Sequence, residues 1–212
     1  MRSDLSLLLP RPHQVDPHAG APCLTFLNST DTPGRFNQHD DLQPGYANVL
    51  SWAWANELLD DEDTRRLLAI ARRTPREASA VRRRIIEFRD ALRRLVTAAI
   101  AGDPPVPDDL AFFERELRET YAHGRIAPGD TPPRYIWAWP ETPQLESILW
   151  TIVRSAEDIL FSERIDRVRL CAGDGCEKVF LDTSKNRSRR YCSTGGCGNR
   201  ERVRRFRQDA GT

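Results

Sequence analysis

The chain has 212 residues, 39% of them hydrophobic and 30% charged, and a formal net charge of +1. That balance excludes an intrinsically disordered chain, and no apolar run approaches the roughly 20 residues that span a bilayer, so no membrane partner is expected. The near-neutral total hides an asymmetry: from Arg164 onward there are 13 Lys/Arg against 6 Asp/Glu, and before it 19 against 25. An acidic body with a basic end points to a polyanionic partner.

The first stretch, MRSDLSLLLPRP, has too short an apolar core for a secretory signal, so a cytoplasmic location is expected. Cys23-Leu24-Thr25-Phe26-Leu27 reads as a strand that pairs with a later hairpin. Cys23 has no basic or His neighbour to activate it and reads as a small buried hydrophobe. Tyr46–Leu59 carries apolar residues at helical spacing. Asp60-Asp61-Glu62-Asp63 then begins a second helix, where negative charge complements the helix N-terminus.

Thr74-Pro75-Arg76-Glu77 is a capping-box start. Behind it runs the stripe Ala78, Val81, Ile85, Phe88, Leu92, Leu95, Val96 and Ala99, ending at Gly102. Arg82–Arg84 and Arg93-Arg94 fall off the stripe and read as a solvated face. Asp108–Tyr121 is a further helix. Arg125–Ala127 and Arg134–Trp139 flank the turn-rich PGDTPP and read as a β-hairpin, with Trp137 and Trp139 packed on the helices. Thr142-Pro143 marks another capped start, followed by a buried stripe from Leu145 to Leu160. The four histidines are scattered, and there is no phosphate loop, nucleophile elbow or paired-histidine signature, so the chain is not expected to be an enzyme.

The end of the chain carries the chemistry. Cys171, Cys176, Cys192 and Cys197 follow the spacing C-x4-C-x15-C-x4-C. Two cysteine knuckles joined by a short hairpin supply the four ligands of one structural Zn²⁺; an iron–sulfur cluster is the other reading of that spacing. The hairpin is expected to use Lys178–Leu181 and Arg189–Tyr191 as strands and Asp182–Ser188 as the turn, with Asp182 facing Arg190. A helix should follow Cys197, its Val203 and Phe206 folding it back on Val179, Phe180 or Tyr191. This leaves Arg200, Arg204 and Arg207 along one flank, Arg202 on the opposite one and Arg205 outward beside Glu201, with Arg200 able to buttress the knuckles. Lys185, Arg187, Arg189 and Arg190 on the hairpin add phosphate contacts.

Phe180-Leu-Asp-Thr-Ser184, Arg189-Arg-Tyr-Cys-Ser193 and Cys197-Gly-Asn-Arg200 together resemble the CGNR zinc finger, and the body resembles the ABATE domain that usually precedes it. Cys23-Leu-Thr-Phe-Leu-Asn28 is similar to a strand near that domain's N-terminus. Tyr191 stands where the family usually has Trp, and Thr25 where it has Asp. The resemblance implies a bacterial transcription regulator with zinc in the finger.

The expected fold is α+β: a predominantly helical domain over 1–163 with a small antiparallel β element, serving an effector or dimerisation role, then a zinc finger over 164–212 made of two knuckles, a β-hairpin and a helix. The expected function is a DNA-binding transcription regulator, possible as a homodimer and with a small-molecule effector that the sequence does not name. An RNA-binding or a protein-interaction finger is the alternative, and an enzyme with its pocket in the body is the least supported reading.

Overall fold

The computed structural model describes residues 4–10, 17–30, 40, 42–129, 131 and 134–209. In chain order its elements are α1 (Leu5–Leu8), α2 (Pro22–Leu27), α3 (Tyr46–Ala55), α4 (Asp61–Arg73), α5 (Pro75–Ala101) and α6 (Pro107–His123). Strands β1 (Arg125–Pro128) and β2 (Tyr135–Ala138), α7 (Ser147–Leu160), strands β3 (Val168–Leu170) and β4 (Val179–Leu181), and α8 (Asn199–Asp209) follow. The fold is therefore α+β and mainly helical, with two small antiparallel sheets. Among the described residues no helix is long and apolar enough to cross a membrane.

The long α5 is the axis of the body. Pro75 opens it, and Gly102 ends it in the left-handed conformation, with φ +75°. Its apolar stripe is buried from Ala78 to Val96, including Ile85, Phe88 and Leu92, and Ala99 at its end is exposed. Thr74 does not cap α5: its hydroxyl donates backward to the Ile70 carbonyl at 3.2 Å, and the expected capping box is not made. Asp60 does cap α4, accepting from the Asp63 N–H at 2.8 Å. The helix predicted from Thr142-Pro143 begins later, at Ser147.

The run Cys23–Leu27 is a helix, not a strand. Pro22 sits in its first turn, and Cys23, Leu24, Phe26 and Leu27 are all buried, packed among α5, α7 and the end of the chain. A short, mostly buried segment with one polar residue, Thr25, fits either conformation, so periodicity cannot separate the two. The β1–β2 hairpin is present in the expected place, with Ile126 opposite Trp137; part of its turn lies outside the described residues. Among the described residues it has no strand partner in the chain's first segment. Trp137 and Trp139 contact one another at 6.0 Å between ring centroids, and Trp139 reaches Trp150 of α7 at 5.8 Å.

Several arginines of α5 are bound inward. Arg84 pairs with buried Glu116 of α6 at 2.7 Å, and Arg94 with buried Asp109 at 2.6 Å. Arg89, 3% exposed, grips Asp40 at 2.6 Å and the Ser29 hydroxyl at 3.1 Å. Arg93 donates to the Leu27 carbonyl. The expected solvated face is in part a set of cross-links between elements, which matches these cations within the body, although Arg94 keeps 56% of its side chain exposed.

Candidate metal centre

The finger is assembled on a short sheet that also belongs to the body. β4 pairs antiparallel with β3, Val168 opposite Leu181, and Val168, Val179 and Leu181 join the same buried cluster as the helices. The expected hairpin between Lys178–Leu181 and Arg189–Tyr191 is not formed. Its cause is Asp182, wholly buried, which turns inward and leaves Arg190 unpaired with it. Its carboxylate accepts from the Ser184 N–H at 2.9 Å, the Ser184 hydroxyl at 2.6 Å and the Arg189 N–H at 3.1 Å. Against the upward push of burial, these hydrogen bonds hold the Asp182 carboxyl below its ordinary range. The returning chain therefore leaves β4 and meets the first knuckle instead, where the Ala172 N–H donates to the Arg190 carbonyl at 2.9 Å.

That return brings the four cysteines together. Their sulfurs all lie within 4.8 Å of one another, and the Sγ atoms of Cys176 and Cys192 are 3.9 Å apart. A Zn–S bond of about 2.3 Å places neighbouring sulfurs about 3.8 Å apart in a tetrahedron, so the donor set fits a tetrathiolate ion. Gly173 makes the fit possible: a Cβ there would stand 2.8 Å from the Cys197 sulfur. Gly175, with φ +59°, supplies the backbone bend of the first knuckle. In the second knuckle Ser193 accepts from the Gly196 N–H at 3.0 Å and starts a π-turn, Thr194–Gly198, that delivers Cys197 to the foot of α8.

Hydrogen-bond donors from the backbone and from Arg200 surround two of the four sulfurs. Cys171 Sγ accepts from the Cys192 N–H at 3.2 Å and the Gly173 N–H at 3.4 Å. Arg200 donates to Cys197 Sγ at 2.9 Å, so its guanidinium buttresses the knuckles. Hydrogen bonds from Cys176 and Cys192 drive the Cys171 thiol far below its ordinary value, while Cys176 and Cys192, donating to it, are pushed upward. Four sulfurs this close ionise together only when a cation shares their charge. Cys23 stands apart from this cluster: buried beneath α7, it donates to the Ser155 carbonyl at 3.5 Å, and burial pushes its thiol up to about 11.

The predicted basic residues fall into distinct groups. Lys185 and Arg187 are exposed on the turn, Arg187 with φ +50°. Arg190 and Arg207 are exposed as well. Arg189 is built into the frame: its guanidinium lies 4.2 Å over the Phe180 ring and donates to the carbonyls of Tyr191 at 3.0 Å, His18 at 3.0 Å and Cys192. Arg204 is held by Glu201 at 2.8 Å. The helix does not fold back as expected. Val203 is 40% and Phe206 73% exposed, and α8 packs chiefly against the second knuckle. The charged face that follows a zinc knuckle outweighs two apolar residues three apart, which bury too little to hold a helix down.

Sequence reasoning missed the joint between the two halves. Asn28, 2% exposed, donates from Nδ2 to the Val179 carbonyl at 2.9 Å and accepts from the Val179 N–H at 3.0 Å. One side-chain amide thus acts as a strand partner for β4. The Leu181 N–H completes the seam by donating to the Ala19 carbonyl at 2.8 Å. No sequence pattern marks such a pairing, because its partners lie 151 residues apart.

A helical body sealed to a four-cysteine finger defines a zinc-finger protein of two parts. Residues 20–163 match ABATE, described as "Putative stress-induced transcription regulator", and residues 167–209 match the CGNR zinc finger. The chain belongs to the ABATE family and ends in a CGNR zinc finger. A comparison with curated proteins finds no match.

Proposed function

We propose that this chain is a cytoplasmic transcription regulator that binds duplex DNA through its finger. Cys171, Cys176, Cys192 and Cys197 hold one structural Zn²⁺, and the surrounding arginines meet the phosphate backbone. The observation that carries this reading is the exposed guanidinium surface on a helix whose base the cysteines fix: Arg202, Arg204, Arg205 and Arg207 all stand exposed on α8. Four thiolates and one Zn²⁺ carry a net −2, and Arg200 offsets part of it; Arg202, Arg207 and the terminal amino groups of Arg205 remain available to an external anion, while Arg204 is paired with Glu201.

Lys185, Arg187 and Arg190 extend the same surface from the turn. Arg189 supports it from within by fixing the segment that presents them. The body carries the regulatory role, as an effector or dimerisation unit. The test is fluorescence anisotropy of the zinc-loaded full chain with duplex DNA, titrated from roughly 50 to 200 mM salt, where log affinity should fall against log salt with a slope near −3 for three or four phosphate contacts. Binding to structured RNA in preference to duplex at equal salt would replace DNA by RNA, and a lack of salt-dependent binding to either would refute the reading.

A further inference from the structure

We infer that the finger grips phosphate in the cleft between residues 188–194 and the first turns of α8, and not along the Arg200/Arg204/Arg207 flank. This inference rests on the nucleic-acid reading above and names the residues that perform it. The cleft encloses about 480 Å³. Ser188, Arg190 and Thr194 line one wall, and Arg202 and Arg205 the other.

The cations facing this cleft are available. The side chains of Arg190 and Arg202 are exposed and make no hydrogen bond or ion pair among the described residues; the Arg190 guanidinium lies over the Tyr191 ring, at 6.0 Å. Arg205 meets Glu201 through Nε alone, at 3.1 Å, so both of its terminal amino groups are open to a bidentate contact. Glu201 is the one carboxylate among the residues lining the cleft. It is already matched by Arg204, whose amino group reaches it at 2.8 Å. The hydroxyls of Ser188 and Thr194 add donors at the rim, and the N-terminal half of α8 adds its partial positive charge.

The opposite flank lacks these properties. Arg200 is committed to the Cys197 sulfur, and Arg204 to Glu201. Arg207 is left beside the apolar Val203 in a surface formed by one helix alone. A phosphodiester presents oxygens in several directions, and two walls reach it from opposite sides where one convex helix does not. The cleft suits a backbone phosphate of duplex DNA, entered by the strand and not by a base.

The test uses the zinc-loaded full chain and duplex DNA. Each phosphate contact contributes a factor of about 5 at 0.15 M salt, since affinity scales with salt to about the −0.9 power per contact. The triple variant Arg190→Ala, Arg202→Ala, Arg205→Ala should bind about 30- to 150-fold more weakly, with a salt slope lower by two to three. The pair Arg204→Ala, Arg207→Ala should lose less than about 5-fold.

A second measurement keeps the cleft testable without any variant: titration of the wild-type chain with inorganic phosphate, followed through the arginine Nε–Hε resonances. Arg190, Arg202 and Arg205 should shift, and Arg204 and Arg207 should not. Wild-type affinity in the triple variant, with loss in the pair, would overturn the cleft and leave the DNA reading standing. Phosphate shifts at the three arginines in a chain that binds no DNA would do the reverse. No shift and no loss would overturn the cleft outright.

Discussion

Replacing Asn28 by Ala tests the joint between body and finger. Its side chain satisfies both backbone groups of Val179 at 2.9 and 3.0 Å in a buried setting. Removing it leaves one N–H and one C=O without partners, each costing about 1–3 kcal/mol. The expected destabilisation is about 2–6 kcal/mol, which for a chain of this length lowers Tm by about 4–24 °C. The assay is thermal unfolding of the zinc-loaded chain by circular dichroism, with zinc release followed in the same scan by a chromogenic chelator.

Because Val168, Val179 and Leu181 are buried in one cluster with the helices, unfolding and zinc release should move down together in the variant. A Tm within about 2 °C of wild type, a change equivalent to less than about 1 kcal/mol, would refute the role given to Asn28. Early zinc release followed by unfolding of the body at the wild-type temperature would show that the finger is an independent unit.

Two further outcomes follow from single positions. Gly173→Ala places a methyl group 2.8 Å from the Cys197 sulfur; overpacking of about 1–3 kcal/mol should weaken zinc affinity by about 5- to 150-fold in chelator competition, and unchanged affinity would contradict the packing of the first knuckle. Asp40→Asn breaks the pair with buried Arg89 and should cost about 3 kcal/mol at neutral pH. Burial pushes the Asp40 carboxyl up, but the Arg89 hydrogen bond and charge win and hold it below its ordinary range. Its stabilisation is therefore complete above about pH 4, the ordinary Asp range, and is lost as pH falls through the lower folded value. The gap between variant and wild type in urea melts should close in acid, and a gap that stays constant would contradict the pairing.

The helical body was legible because its signals are local and repeated. The α5 stripe from Ala78 to Val96 spells one buried face, and Asp60 announces α4 by the short polar side chain that caps it. The four cysteines were legible because metal ligation demands particular residue types at particular spacings. What stayed hidden was decided by tertiary contact. Pro22 to Leu27 is apolar enough for either a strand or a helix, and only its burial against α5 and α7 selects the helix.

The hairpin of the finger was misplaced because Asp182 was read as a surface partner for Arg190, whereas it is the buried hub of its own turn. The alternation Val168-Arg169-Leu170 is the one local hint of the true partner strand. Among the arginines, charge alone gave no ranking. Arg189, Arg200 and Arg204 are sorted from Arg190, Arg202 and Arg205 by what each touches, which a sequence does not display.

Zinc-edge X-ray absorption on the purified, reduced chain addresses the central claim most directly. One zinc per chain with four sulfur neighbours at about 2.3 Å is the predicted result. Fewer than four sulfurs, iron in place of zinc, or a metal-free chain that keeps its Tm would contradict the account.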